Sequence, residues 1–404
     1  MPTTRRRFLN QAAAQTAALG FAAGAPLPLL ASALLAKTER ILIVIELQGG
    51  NDGLNTVVPA SDPVYQRLRP QLAIRPADVL PIADGMGLHP ALSGFAKLLE
   101  AGQLAVVQGV GYPEPNRSHF ESMDIWHTGR PRGESRADGW LGRSLEQSTS
   151  PNTDPQALHL GADKLPLALM SRRVRVPSVN SLDEFRLRGI EDRGFRETVQ
   201  SLADTPRTEG DLLSFVQSST SAALSASERL AAAAKAGNSK VVWPQSPLAA
   251  RLQMVSQLIR SGLDTSLYYT SLGGFDTHAQ QPDAHRSLLR QVGDAVQALL
   301  AELEESGDSS RVSVLAFSEF GRRVAENASA GTDHGTAGPV FLAGAALRPG
   351  LHGPTPDLSS LHDGDLQFTV DFRSVYAAVL KHWIGTDPAA ILPGNYSPID
   401  VFRS

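Results

Sequence analysis

The sequence predicts an α/β protein: a mainly parallel sheet flanked by helices, with a partly helical insertion. Apolar runs of strand length recur at 41–47, 104–110, 267–272 and 312–317, and the first of them is rich in β-branched residues, as expected of a strand buried on both faces. Between the last two lies 283–303, where Leu288, Leu289, Val292, Val296, Leu299, Leu300 and Leu303 recur at the spacing of a helix burying one face. Strand, helix and strand in that order make a βαβ unit with parallel strands. These strands also run straight into acids, histidines or glycine turns, and ligands of such sheets sit beyond the carboxyl ends of the strands.

Composition narrows the classes of function. With 404 residues, 42% of them hydrophobic, the chain can bury a large core. A net charge of −4 gives no electrostatic case for nucleic acid. There are no cysteines, which excludes disulfides, thiolate metal sites and a cysteine nucleophile.

The N-terminus reads as an export signal. Thr4-Arg5-Arg6-Arg7-Phe8-Leu9-Asn10 precedes an alanine-rich run at 12–35, with Ala31-Ser32-Ala33 offering small residues to a signal peptidase. Gln15, Gly20, Gly24, Pro26 and Pro28 make that run a poor spanning helix, and no later segment is apolar for long enough to span a bilayer. The expectation is a twin-arginine signal over 1–33 and a single domain over 34–404. The twin-arginine translocase is then the partner during export, and the destination is the periplasm or the exterior.

In the mature chain, 41–47 leads into the glycine-rich turn Gln48-Gly49-Gly50-Asn51-Asp52-Gly53-Leu54-Asn55. A helical segment at 90–101 precedes the strand 104–110, which leads to Asn116-Arg117-Ser118-His119-Phe120-Glu121. Ser118 followed three residues on by Glu121 fits a capping box, placing the hydroxyl at the positive end of a helix dipole. Two readings of Ser118 stand open, a simple cap and an activated alkoxide. From 148 to 240 the signal weakens to an insertion or cap, with short strands at 158–161 and 167–169 and an alanine- and serine-rich helix at 220–236. An amphipathic helix at 248–259 leads into the central blocks, an apolar run follows the last of them at 339–342, and a last helix spans 374–383.

Three blocks carry chemistry: Gly274-Phe275-Asp276-Thr277-His278, Ser318-Glu319-Phe320-Gly321-Arg322 and Thr332-Asp333-His334-Gly335. Any one of them is compatible with a surface turn. Their joint placement, with Asp52, allows one sheet edge to gather Asp52, Asp276, His278, Glu319, Asp333 and His334. Carboxylate and imidazole together suit zinc, manganese or iron, and two such ions can clamp a phosphate or sulfate ester.

At these residues the chain resembles the family catalogued as domain of unknown function 1501, over essentially the whole mature chain. That family is in turn similar to the alkaline phosphatase and sulfatase superfamily, whose fold is α/β with a two-metal site and a serine or threonine nucleophile. The resemblance implies that Asp52 binds one metal and Ser118 is the nucleophile, while Asp276, His278 and His334 bind the other metal. It departs at Ser318-Glu319-Phe320-Gly321, where the superfamily has serine, aspartate, histidine and glycine; Glu319 can still ligate and Phe320 cannot. The function it implies is an exported, metal-dependent hydrolase of phosphate or sulfate esters. Zinc is the first candidate metal, with manganese, calcium or iron as alternatives, and the substrate is a small anionic ester steadied by Arg117, His119 or Arg322. The alternative is a non-catalytic exported binding or assembly protein on a degenerate hydrolase scaffold.

Overall fold

The computed structural model describes residues 40–148, 154–181, 193–194, 197–198, 201 and 240–403. The signal expected over 1–33 and the helix expected at 220–236 lie outside the described residues. In chain order the first half contains β1 (Ile41–Leu47), β2 (Val57–Val58), α1 (Pro63–Leu68), β3 (Leu80–Ala83), β4 (Met86–Leu88), α2 (Ser93–Glu100), β5 (Leu104–Gly111), α3 (His119–Thr128), α4 (Trp140–Glu146), β6 (Ala157–Leu160) and β7 (Ser178–Val179). The second half contains α5 (Pro247–Arg260), β8 (Leu267–Leu272), α6 (Gln281–Ser306), β9 (Val312–Phe317), β10 (Gly338–Gly344), β11 (Gly350–His352), β12 (Leu361–His362), β13 (Asp365–Leu366), β14 (Val370–Asp371), α7 (Phe372–Ala378) and α8 (Pro388–Ile391).

The main sheet runs β11-β5-β10-β9-β1-β8-β6-β7, and β14 also pairs with β5. β10 runs antiparallel to β5 and β9, while the pairs β1–β8, β1–β9, β6–β8, β6–β7, β5–β11 and β5–β14 are parallel. This is the mostly parallel α/β architecture expected. Leu47 pairs with Leu272, and Glu46 with Phe317, so β1, β8 and β9 end level and their loops open side by side.

Alternation along β1 builds the two layers. Ile41, Ile43, Ile45 and Leu47 join α2, α5 and α6 in one buried cluster, whereas Leu42 and Val44 join residues of α3, α4 and α7 in the other. The crossover helix α6 buries Leu289, Val292, Val296, Leu299, Leu300 and Leu303, and Gly307 at φ +78° ends it.

Several expectations shift. Leu167–Leu169 is a 3-10 turn and not a strand, since three apolar residues after Pro166 fit either. The last helix begins at Phe372 under an Asp371 cap and passes into a π-helical turn at Val379–Ile384. Within 148–240, β6 and β7 extend the sheet beyond β8, so that part of the segment is sheet edge. No described helix is long and apolar enough to cross a membrane.

Candidate metal centre

The loops after β1, β8 and β9 meet backbone to backbone. Gly49 sits at φ +116°, and a Cβ there would lie 2.4 Å from the Asp276 nitrogen. A Cβ on Gly331 would lie 2.3 Å from the His278 carbonyl carbon, which brings the segment before β10 into the same cluster.

Three imidazoles and one carboxylate converge there. Asp276 Oδ1 lies 3.0 Å from His278 Nε2 and 3.1 Å from His334 Nε2, and those two nitrogens are 2.9 Å apart. Asp276 Oδ2 lies 3.5 Å from His119 Nε2, a buried nitrogen with no hydrogen-bond partner. Each ring's other nitrogen faces an acceptor: His119 Nδ1 is 2.8 Å from Glu319 Oε1, His278 Nδ1 is 3.2 Å from Asp333 Oδ1, and His334 Nδ1 is 2.7 Å from the Arg117 carbonyl. Those partners assign the proton of each neutral ring to Nδ1, so three Nε2 lone pairs and Asp276 face one another. Phe320 walls the cluster, its ring 4.9 Å from that of His119 and 4.8 Å from that of His334.

The charges are set by neighbours. Burial favours the protonated form of Asp276, but the hydrogen bond and charge of Arg322, with the neighbouring histidines, outweigh it and hold the carboxyl at about 2. The hydrogen bond to Glu319 raises the His119 pKa, and the Asn327 side chain lowers that of Asp333.

Other expected site residues are engaged elsewhere. Asp52 is fully buried, and its carboxylate accepts Arg69 Nη1 at 2.6 Å, Gln281 Nε2 at 2.5 Å and Asn55 N–H at 3.4 Å. It stands as one half of a buried ion pair and not among the convergent donors, which corrects the reading of Asp52 as an open ligand. Glu319 reaches the cluster, but behind His119: Oε1 also accepts Gly49 N–H at 2.9 Å and Oε2 accepts Ser318 Oγ at 3.0 Å. Asp333 likewise backs His278. Arg322 is buried, and its guanidinium donates to the carbonyls of Gly50, Thr332, Gly49 and Phe275 and, at 2.6 Å, to Asp276 Oδ1. Arg117 gives its guanidinium to the buried Asp365. Both arginines expected to steady an anion therefore hold protein groups instead.

Ser118 is the N-cap residue of α3, exposed, with no capping hydrogen bond from its side chain. The expected capping box does not form, because Glu121 pairs with Arg136 at 2.6 Å. Ser118 lies between Arg117, whose carbonyl holds His334, and His119, so its backbone is part of the cluster's frame.

The family model described as "Protein of unknown function (DUF1501)" matches residues 39–392. The chain belongs to this family. Among curated proteins none matches the sequence. Among solved structures, the fold is similar to the PsFucS1 sulfatase from Pseudoalteromonas sp., at 10% identity over 91% of this chain and 75% of that one, with a TM-score of 0.40. It is similar to a protein in the alkaline phosphatase superfamily from Vibrio parahaemolyticus, at 9% identity, 88% and 69% coverage and a TM-score of 0.39. It is also similar to the C-terminal periplasmic domain of EcEptC from Escherichia coli in complex with Zn, at 9% identity, 77% and 74% coverage and a TM-score of 0.38.

In this DUF1501 chain the donor set fits a divalent ion on its own geometry. Two imidazole nitrogens 2.9 Å apart, each ring with its far nitrogen on an acceptor, need a proton or a cation between them. A carboxylate, a backbone carbonyl and a second carboxylate behind three rings is the outer-shell arrangement of histidine metal sites. Sequence reasoning set His119 to steady an anion; in the structure its Nε2 lies in one donor group with Asp276 and His334, and its Nδ1 faces Glu319. Arg69, Gln281 and Asp365 were missed altogether, and neither spacing nor composition marks any of them.

Proposed function

We propose that this DUF1501 member is an exported metal-dependent hydrolase of phosphate or sulfate esters. The observation that carries the reading is the convergence of the His119, His278 and His334 Nε2 atoms on Asp276, each ring fixed from behind by Glu319, Asp333 or the Arg117 carbonyl. Asp276, His278 and His334 would hold a divalent ion, zinc first, and His119 would complete the set or face its open position. Such an ion, when bound, polarises an ester oxygen and lowers the pKa of a nearby hydroxyl. Ser118, exposed and next in sequence to His119, is the candidate nucleophile. Phe320 shields the histidines from water on one side, and Arg322 keeps Asp276 ionised. Asp52, paired with Arg69, leaves no open set for a second ion there, so the reading is of one ion and not two.

A second reading, a non-catalytic binding or assembly protein on the same scaffold, draws support from Arg117 and Arg322, since neither guanidinium is left to steady a substrate anion. Export through the twin-arginine route, on the Arg5-Arg6 motif, belongs to both readings.

The experiment assays wild type, Ser118→Ala and Ser118→Thr on aryl phosphate mono- and diesters and aryl sulfates, with zinc, manganese or calcium added in turn. The hydrolase reading expects turnover by wild type, loss by orders of magnitude in Ser118→Ala, and partial retention in Ser118→Thr. A metal-loaded wild type that hydrolyses none of these esters overturns it in favour of the second reading.

A further inference from the structure

We propose that Asp365 is a positioning residue for the candidate metal centre, acting on His334 through Arg117; the inference rests on the metal-binding reading above. β12 and β13 form a hairpin in which His362 pairs with Asp365, and its turn residues Asp363 (φ +51°) and Gly364 (φ +80°) are both left-handed. Two left-handed residues in an Asp-Gly turn give the tight I′ hairpin that fixes strand register. The hairpin thus has a defined register.

It grips the cluster from two sides. Asp365 is 1% exposed, and its Oδ2 accepts both Nε, at 2.9 Å, and Nη2 of Arg117. The Arg117 carbonyl accepts the Nδ1–H of His334 at 2.7 Å, the contact that turns Nε2 toward Asp276. On the other side, Thr336 Oγ1, two residues past His334, donates to the Leu366 carbonyl at 2.5 Å. One hairpin therefore contacts both the residue whose carbonyl backs His334 and the chain that carries His334.

A buried carboxylate is poor material for stability alone, because its desolvation offsets much of the attraction to its partner. Its use here is directional. The guanidinium held at two of its nitrogens fixes Arg117, and with it the carbonyl that selects the His334 tautomer and ring orientation. Outer-shell partners of this kind set the affinity of a site even though they never touch the ion.

The test is zinc titration of the full chain against a competing chelator, for wild type, Asp365→Asn, Arg117→Met, Arg117→Lys and the double variant Asp365→Asn/Arg117→Met, with melting of each metal-free form measured alongside. Asp365→Asn and Arg117→Met should each weaken zinc binding about 10- to 100-fold. The double variant should bind no more weakly than either single one, and Arg117→Lys should recover part of the affinity. Zinc affinity unchanged in Asp365→Asn, or losses that simply add in the double variant, overturn the proposal. If Asp365→Asn does not fold, Arg117→Met carries the test alone, since the Arg117 side chain is 39% exposed. A wild type that binds no zinc instead fails the metal-binding reading itself and, with it, this inference.

Discussion

The Asp52–Arg69 pair separates a structural from a metal-binding role for the first aspartate of the chain. Both side chains are fully buried and 2.6 Å apart, and Arg69 also donates to Asn55 Oδ1 and to the carbonyls of Val324 and Arg323, each at 2.8 Å. Burial alone would raise the Asp52 carboxyl, but the Arg69 charge and its hydrogen bond outweigh that and lower it. Arg69→Met should therefore strand a buried carboxylate and cost about 3–5 kcal/mol. Asp52→Asn should also destabilise the fold, and Asp52→Asn/Arg69→Met should cost less than the sum of the two, because no uncompensated charge remains. Urea unfolding of the metal-free variants gives these energies, and zinc content after equilibrium dialysis gives the second readout. On this reasoning Asp52→Asn keeps the zinc stoichiometry of wild type. The reasoning is refuted if Asp52→Asn loses an ion while its metal-free unfolding midpoint matches wild type, for then Asp52 is a ligand and Arg69 incidental.

Three further outcomes follow from the same geometry. His334→Ala should abolish zinc binding and remove the zinc-dependent rise in melting temperature, whereas His119→Ala should retain an ion at reduced affinity; equal retention in both would undo the assignment. Burial lowers His285 to about 4 in the fold, against about 6.5 in an unfolded chain, so both states are neutral above pH 6.5 and the unfolded state alone gains a proton as pH falls. Stability should thus decline between pH 6.5 and 4.5, and His285→Gln should flatten that decline by up to about 1.4 kcal/mol per pH unit, as read by urea midpoints across the window. Replacing Arg5 and Arg6 together by lysine should leave the precursor in the cytoplasm, and normal periplasmic processing of that variant would reject the export reading.

Strand positions were legible because strands buried on both faces leave an unbroken apolar signature, and α6 because 3.6-residue spacing survives over its length. The direction of β10 was not, since nothing in Val340-Phe341-Leu342 distinguishes a parallel from an antiparallel strand. At the site, the placement of Asp276 and His278 just past β8 could be read from sequence. Whether a given acid is an inward donor or a backing group could not, because that depends on partners distant in the chain. Glu319 meets His119 across 200 positions, and Asp365 meets Arg117 across 248. The capping box failed for a similar reason: Arg136, 15 residues on, competes for Glu121 and wins with a full charge.

The position of His119 decides whether the centre is open or closed. A tetrahedral zinc with bonds of about 2.0–2.1 Å spaces its ligand atoms about 3.3 Å apart. Asp276 Oδ1, His278 Nε2 and His334 Nε2 stand 2.9–3.1 Å apart, a triangle slightly tighter than that. His119 stands outside it, 3.5 Å from the other carboxylate oxygen of Asp276 and with its ring 4.3 Å from that of His334. Four equal protein donors would close the shell, as in structural zinc sites, and leave no place for a substrate oxygen. On the proposed reading the triad would hold the ion, and His119, whose Nε2 lies in one donor group with Asp276 and His334, would face the open position. Glu319 then matters less as charge than as a lock, since it holds the Nδ1 proton and keeps the His119 Nε2 lone pair turned toward that place.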